Sequence, residues 1–157
     1  MSAVIEDHDI AGRGSKPGDE PLGTLRGHEL IVLASDGVPL HVEIDGPDTA
    51  PVTIIFCHGY TLNQDCWHFQ RRDLADYRLV FWDQRDHGRS GRAEPDGATI
   101  DQLGADLKAV IDATVPGPAT VVLVGHSMGQ DVGARSPFRK NLLSRMKNRT
   151  ELSRCCE

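Results

Sequence analysis

One run of residues constrains this chain more than any other: Val121-Val122-Leu123-Val124-Gly125-His126-Ser127-Met128-Gly129. Its apolar, mostly β-branched first half suits a buried strand. The strand runs into Gly-x-Ser-x-Gly, the pattern of a nucleophile elbow, a tight turn with a serine at its apex. Glycines two residues either side of Ser127 imply a turn with no room for side chains, and the serine itself is expected in a strained backbone conformation. Such a turn lifts the hydroxyl above the sheet edge, which makes Ser127 the candidate nucleophile. The competing reading is an ordinary glycine turn between strand and loop.

The segments before this run set its context. His28 to Ala34 and Val38 to Asp45 read as the two strands of a hairpin about Ser35-Asp36-Gly37, the second half-buried, with Val38, Leu40, Val42 and Ile44 alternating with polar residues. Val52 to Cys57 is almost wholly apolar, as in a parallel-sheet strand covered on both faces, and leads into His58-Gly59-Tyr60. A helix is expected around Trp67 to Asp76, with Phe69, Leu74 and Ala75 on its apolar side. Tyr77 to Trp82 is a further strand, followed by a polar loop from Asp83 to Gly91. Thr99 to Val115 has helical period, with Ile100, Leu103, Leu107, Val110 and Ile111 on one face, Thr99 as N-cap and Pro116-Gly117-Pro118 as stop. Strand and helix alternate from Val52 onward, so the expected fold class is α/β with a mostly parallel sheet ending at the elbow strand.

Charge divides the chain in two. Residues 130–157 carry seven Lys/Arg against three Asp/Glu, whereas residues 1–129 carry ten against twenty. The formal net charge of -6 argues against nucleic acid as a partner. No apolar run reaches the length of a membrane span, and the acidic N-terminus does not read as a secretory signal. Cys57 reads as a buried structural thiol, and Cys66, Cys155 and Cys156 do not suggest an extracellular disulfide framework. The expected location is cytoplasmic. Three regions follow: residues 1–26, rich in Gly, Pro and charge and expected to lack order; a folded body over 27–129; and a divergent basic tail over 130–157. Gly133 and Pro137 weaken a helix directly after the elbow. Ser136-Pro137 is able to start a new one, with Phe138, Leu142, Leu143 and Met146 as its apolar stripe. Asn148-Arg149-Thr150 matches a glycosylation sequon.

Three motifs in order, His58-Gly59-Tyr60, Asp83 to Ser90 and Gly125 to Gly129, give residues 27–129 a resemblance to the N-terminal half of an α/β-hydrolase of the serine esterase or lipase kind. The resemblance implies that Tyr60 and Met128 each lend a backbone N–H to an oxyanion hole, with Ser127 attacking a small-molecule acyl substrate and no metal or cofactor required. The family's loop usually reads Asp-x-Arg-Gly-x-Gly-x-Ser. Asp86 stands where its first glycine would be, and Asp tolerates a positive φ better than most residues. Asp83, Arg85 and His87 read as loop-fixing groups. Tyr60, Trp67 and Met128 are suited either to an acyl pocket or to the core. Serine at the apex speaks against epoxide-hydrolase-like and dehalogenase-like members, which carry Asp there.

The resemblance also implies an acid and then a histidine after the serine. All seven histidines precede Ser127, and the acids after it are Asp131, Glu151 and Glu157. The expectation is therefore a truncated hydrolase of weak or no activity, its composition change at Gln130 fitting a frameshift or spliced-in tail. The alternative is a non-catalytic pseudoenzyme fragment, or an interaction module that uses the basic amphipathic tail.

Overall fold

The computed structural model describes residues 20–115, 117 and 119–135. The expected helix at Ser136-Pro137, the sequon and the last two cysteines lie outside the described residues. In chain order the elements are β1 (His28–Leu33), β2 (Pro39–Asp45), β3 (Val52–Cys57), a 3-10 turn (Gln64–Trp67), α1 (His68–Asp73), β4 (Arg78–Trp82), α2 (Ile100–Thr114), β5 (Thr120–Gly125) and α3 (Met128–Arg135).

Five strands form one sheet in the order β1-β2-β4-β3-β5. β4, β3 and β5 are parallel, as their apolar runs imply, and the leading hairpin adds two antiparallel pairings, so the sheet as a whole is mixed. The hairpin turn closes through Ala34 and Val38, with Gly37 at φ 86°. In β3 and β4 successive side chains enter different cores, which is why both strands are almost wholly apolar, with Thr53 and Arg78 as the exceptions. Ile55, Cys57, Val80 and Trp82 pack with Leu103, Leu107, Val110 and Ile111 of α2 and Val132 of α3. Phe56, Leu79 and Phe81 lie on the other face with Trp67 and Leu74. Each such buried side chain contributes about 1.5–3 kcal/mol from the area removed from water. α2 begins at its expected cap, the Thr99 hydroxyl accepting from the Gln102 N–H.

Four expectations need correction. The polar face of β2 is not solvated: His41 and Glu43 are buried, because Arg71 of α1 and Arg89 reach in and neutralise Glu43. α1 is shorter than expected and turned differently, with His68 and Arg71 buried and Phe69 half-exposed. Ion pairing of Arg71 to Glu43 and Asp45, and its stacking 4.3 Å over the Phe81 ring, outranks the weak apolar stripe. Residues 20–26 are tied to the body: Arg71 donates to the Leu25 carbonyl, and Arg26 pairs with Asp65 at 2.9 Å. Finally, a helix does follow the elbow directly. α3 runs through Gly133 to Arg135 because tertiary packing overrides propensity, its Val132 being fully buried and Arg135 lying against Gly104 of α2.

Candidate active site

Parallel pairing of β3 with β5 sets Cys57 opposite Gly125, so the two strands end side by side. The His126 N–H donates to the Cys57 carbonyl at 3.1 Å and carries the pairing into the turn. Ser127 has φ 53°, the left-handed region that serine seldom occupies. The flanking glycines are required by contact. A Cβ on Gly125 would stand 2.6 Å from the Gly129 carbonyl oxygen. One on Gly129 would run into the Cys57 carbonyl and lie 2.8 Å from that of His58. α3 thus starts directly against the end of β3, and the Ser127 side chain is left exposed.

The loop after β3 meets this turn. A Cβ on Gly59 would be 3.2 Å from the Ser127 Cβ and 2.9 Å from His126 Nδ1. Gly59, Tyr60, Thr61 and Leu62 form a turn closed by Leu62 N–H to the Gly59 carbonyl at 3.2 Å. Thr61 sits at φ 64°, unfavourable for a β-branched residue by about 1–3 kcal/mol. Neither the Tyr60 N–H nor the Met128 N–H has a hydrogen-bond partner among the described residues, nor does the Ser127 hydroxyl. Tyr60 is 69% exposed, while the Trp67 ring lies tilted against Phe56 at 5.1 Å and belongs to the core. Met128 is half-buried against the α2 and α3 side of the sheet. A shallow depression bordered by Asp86, Glu94, Pro95 and Thr99 contains none of these residues.

His58 is fully buried and holds both loops. Its Nδ1–H donates to the Gly59 carbonyl at 2.8 Å, and its Nε2 accepts the Gln84 N–H at 3.0 Å. The Gln84 side-chain amide donates back to the His58 carbonyl. Burial pushes the His58 imidazole below its ordinary value, against the opposing pull of the Gly59 carbonyl and Asp83. His58 is therefore a neutral crosslink with both ring nitrogens engaged, and not a free base.

Asp83 and Arg85 fix the loop, as their types and spacing imply. Buried Asp83 accepts the Gln64 N–H at 2.8 Å and the Arg89 N–H at 2.9 Å. Gly88, at φ 50°, leaves room for that carboxylate, which a Cβ would approach to 2.7 Å at Oδ1. Ser90 bridges the Asp83 carbonyl and the His41 N–H. Arg85 has no exposed surface, is bidentate to buried Asp106 at 2.6 and 2.7 Å, and also meets Asp36 and the Gly97 carbonyl. These partners hold its guanidinium firmly charged, and in return Arg85 lowers the Asp36 carboxyl below its usual range. Asp86 takes φ 65°, the glycine-like conformation anticipated for it, and its carboxylate accepts the Ala93 N–H at 2.8 Å. Asp106, Asp36, Glu43 and Arg71 were not singled out from sequence. The available signal was a charge inside an apolar stripe, Asp106 lying one turn after Leu103 and beside Leu107.

Residues 54–137 match the Alpha/beta hydrolase family. The chain belongs to that family. The α/β-hydrolase match and helix α3 both continue past Gly129. Among its relatives, the 3-oxoadipate enol-lactonase 1 of Acinetobacter baylyi is 33% identical over 55% of this chain and 32% of its own length. The non-heme chloroperoxidase of Burkholderia pyrrocinia is 35% identical over 66% of this chain and 37% of its own length. An esterase from Exiguobacterium antarcticum superposes with a TM-score of 0.60 at 25% identity, covering 67% of this chain and 38% of that one. Epoxide hydrolases also match. This α/β-hydrolase chain thus spans about a third of the length of the curated relatives it matches.

Proposed function

We propose that this chain carries the nucleophile half of a serine hydrolase site acting on a small-molecule ester or related acyl substrate. Ser127 attacks the acyl carbon, and the Tyr60 and Met128 backbone N–H groups stabilise the resulting oxyanion. The reading is supported by the left-handed φ of 53° at Ser127, between Gly125 and Gly129, and by the Tyr60 and Met128 N–H groups having no hydrogen-bond partner among the described residues. Each donor aimed at the developing charge lowers the barrier by about 2.7–4 kcal/mol. The reading requires neither metal nor cofactor. It is supported by relatives whose names include a lactonase, since a lactone is a cyclic ester, and an esterase. Serine in place of aspartate at the apex favours acyl transfer over epoxide opening. A cytoplasmic location goes with this reading. Among the described residues no helix is long and apolar enough to cross a membrane.

Among the described residues the Ser127 hydroxyl has no partner, which favours a second element of the proposal: with no base beside the serine among those residues, the chain acylates slowly and turns over weakly. A serine site retaining its oxyanion donors keeps some rate over water without its base. Hydrolysis of p-nitrophenyl acetate and butyrate by the purified chain tests the reading. The expected result is a slow initial release of nitrophenolate, bounded by one equivalent, that is absent in Ser127→Ala. Equal rates in wild type and variant would favour the non-catalytic alternative.

A further inference from the structure

The internal Leu62 N–H to Gly59 carbonyl bond does not by itself account for the shape of the Gly59–Leu62 turn. Thr61 occupies the left-handed region at φ 64°, where a β-branched residue has no intrinsic preference. His58 ties the turn at its first residue, and the contact that reaches Thr61 itself comes from the loop after β4. The Thr61 N–H donates to His87 Nε2 at 3.3 Å. The other ring nitrogen fixes which way His87 can serve. Its Nδ1 lies 2.8 Å from the Arg85 carbonyl, which only accepts, so the proton is on Nδ1 and the lone pair on Nε2. The His87 ring also stands edge-on to Tyr60 at 5.8 Å and tilted to His58 at 5.2 Å. Arg85 is anchored in turn by Asp106, so the contact runs from the buried ion pair to the turn.

We propose that His87 is a positioning residue for the oxyanion-stabilising turn: by accepting the Thr61 N–H it fixes the Tyr60–Thr61 peptide and so the direction of the Tyr60 N–H. The proposal rests on the hydrolase reading of Ser127 and Tyr60. Without the acceptor, Thr61 is free to leave its unfavourable conformation, and the Tyr60 donor loses its aim while Ser127 stays where the elbow puts it. His87 does not touch the reacting atoms.

Two variants separate positioning from bulk. His87→Phe keeps a flat ring beside Tyr60 but has no acceptor, and His87→Gln restores an acceptor oxygen. Two quantities are read: the rate at which a fluorophosphonate forms an adduct on Ser127, by intact mass, and exchange of the Thr61 amide proton, by NMR. The expected result is roughly 10- to 100-fold slower adduct formation in His87→Phe, part of what a full donor is worth, with faster Thr61 exchange and recovery of both in His87→Gln. Adduct formation at the wild-type rate in His87→Phe, with Thr61 exchange unchanged, overturns the proposal. A folded wild type that forms no adduct refutes the hydrolase reading instead, and Thr61 exchange then still decides whether the tie exists. Should His87→Phe fail to fold, the wild-type His87 imidazole ¹⁵N shifts decide: a protonated Nδ1 and an accepting Nε2 are expected, and the opposite tautomer overturns the proposal.

Discussion

The loop after β4 is held by what it contains, whereas the turn after β5 is held by what it leaves out. Asp83, Gln84 and Arg85 are fully buried and crosslinked by hydrogen bonds to the 3-10 turn, the β3 loop and α2, those of the Asp83 carboxylate and the Arg85 guanidinium being charge-assisted. Among the described residues the Ser127 side chain makes no such bond. The turn keeps its shape because Gly125 and Gly129 let two backbones approach to distances no Cβ would permit. The difference suits the chemistry. A scaffold loop gains from many satisfied polar groups, since a buried charge that loses its partner is costly. On the proposed reading the Ser127 hydroxyl must be open to substrate and to a base, which suits a turn held by close packing of small residues and not by bonds from the serine side chain. The Gly59–Leu62 turn lies between the two regimes, strained at Thr61 and tied at His58 and His87.

This contrast can be broken from either side. On the polar side, Arg85→Ala strands the Asp106 carboxylate with no exposed surface and is expected to cost about 3–5 kcal/mol of stability, measured by urea unfolding. A loss comparable to that of a surface ion pair would show that the pair is not what holds the loop. On the steric side, Gly129→Ala drives a methyl into the Cys57 and His58 carbonyls and is expected to cost about 1–3 kcal/mol, at the upper end because backbone cannot move aside. Near-wild-type stability there would mean that α3 docks more loosely than the contacts imply.

Acid sharpens the comparison by acting on the polar side. Burial holds the His58 imidazole below its ordinary value of 6.5. As pH falls below that value, the unfolded chain takes up a proton that the native His58 resists, so stability declines with falling pH until the folded value is reached. The unfolding midpoint is expected to be lower near about pH 5.5 than near about pH 7.5, with a smaller difference in His58→Asn. An identical pH dependence in the variant would remove His58 from the account. The smallest effect is expected at Asp86→Gly. Relief of the positive φ and loss of the bond to Ala93 offset each other to within about 1 kcal/mol. A larger loss would make the Asp86 carboxylate a principal support of the loop.

The steric side of the site was the legible one. Glycine spacing around Ser127, the positive φ at Asp86 and the cap at Thr99 are local statements, and local sequence carries them. The helix stripe of α2 and the double-faced strands β3 and β4 follow from periodicity for the same reason. The polar side was not legible in its pairings. Arg85 finds Asp106 and Asp36, and Arg71 finds Glu43, across separations that no spacing rule fixes. Arg71 also turned α1 away from its apparent apolar face, since one buried ion pair outweighs a single exposed Phe69. His87 was legible as a loop residue, but its bond to Thr61 required the two strand ends to be brought together first.

The central claim is that Ser127 is presented as a nucleophile beside the Tyr60 and Met128 donors. Prolonged incubation of the folded chain with a fluorophosphonate, followed by intact-protein and peptide mass spectrometry, tests it directly. The expected result is a single adduct located on Ser127 and absent from Ser127→Ala. No adduct on a chain that unfolds cooperatively, or one that persists in Ser127→Ala, would contradict it.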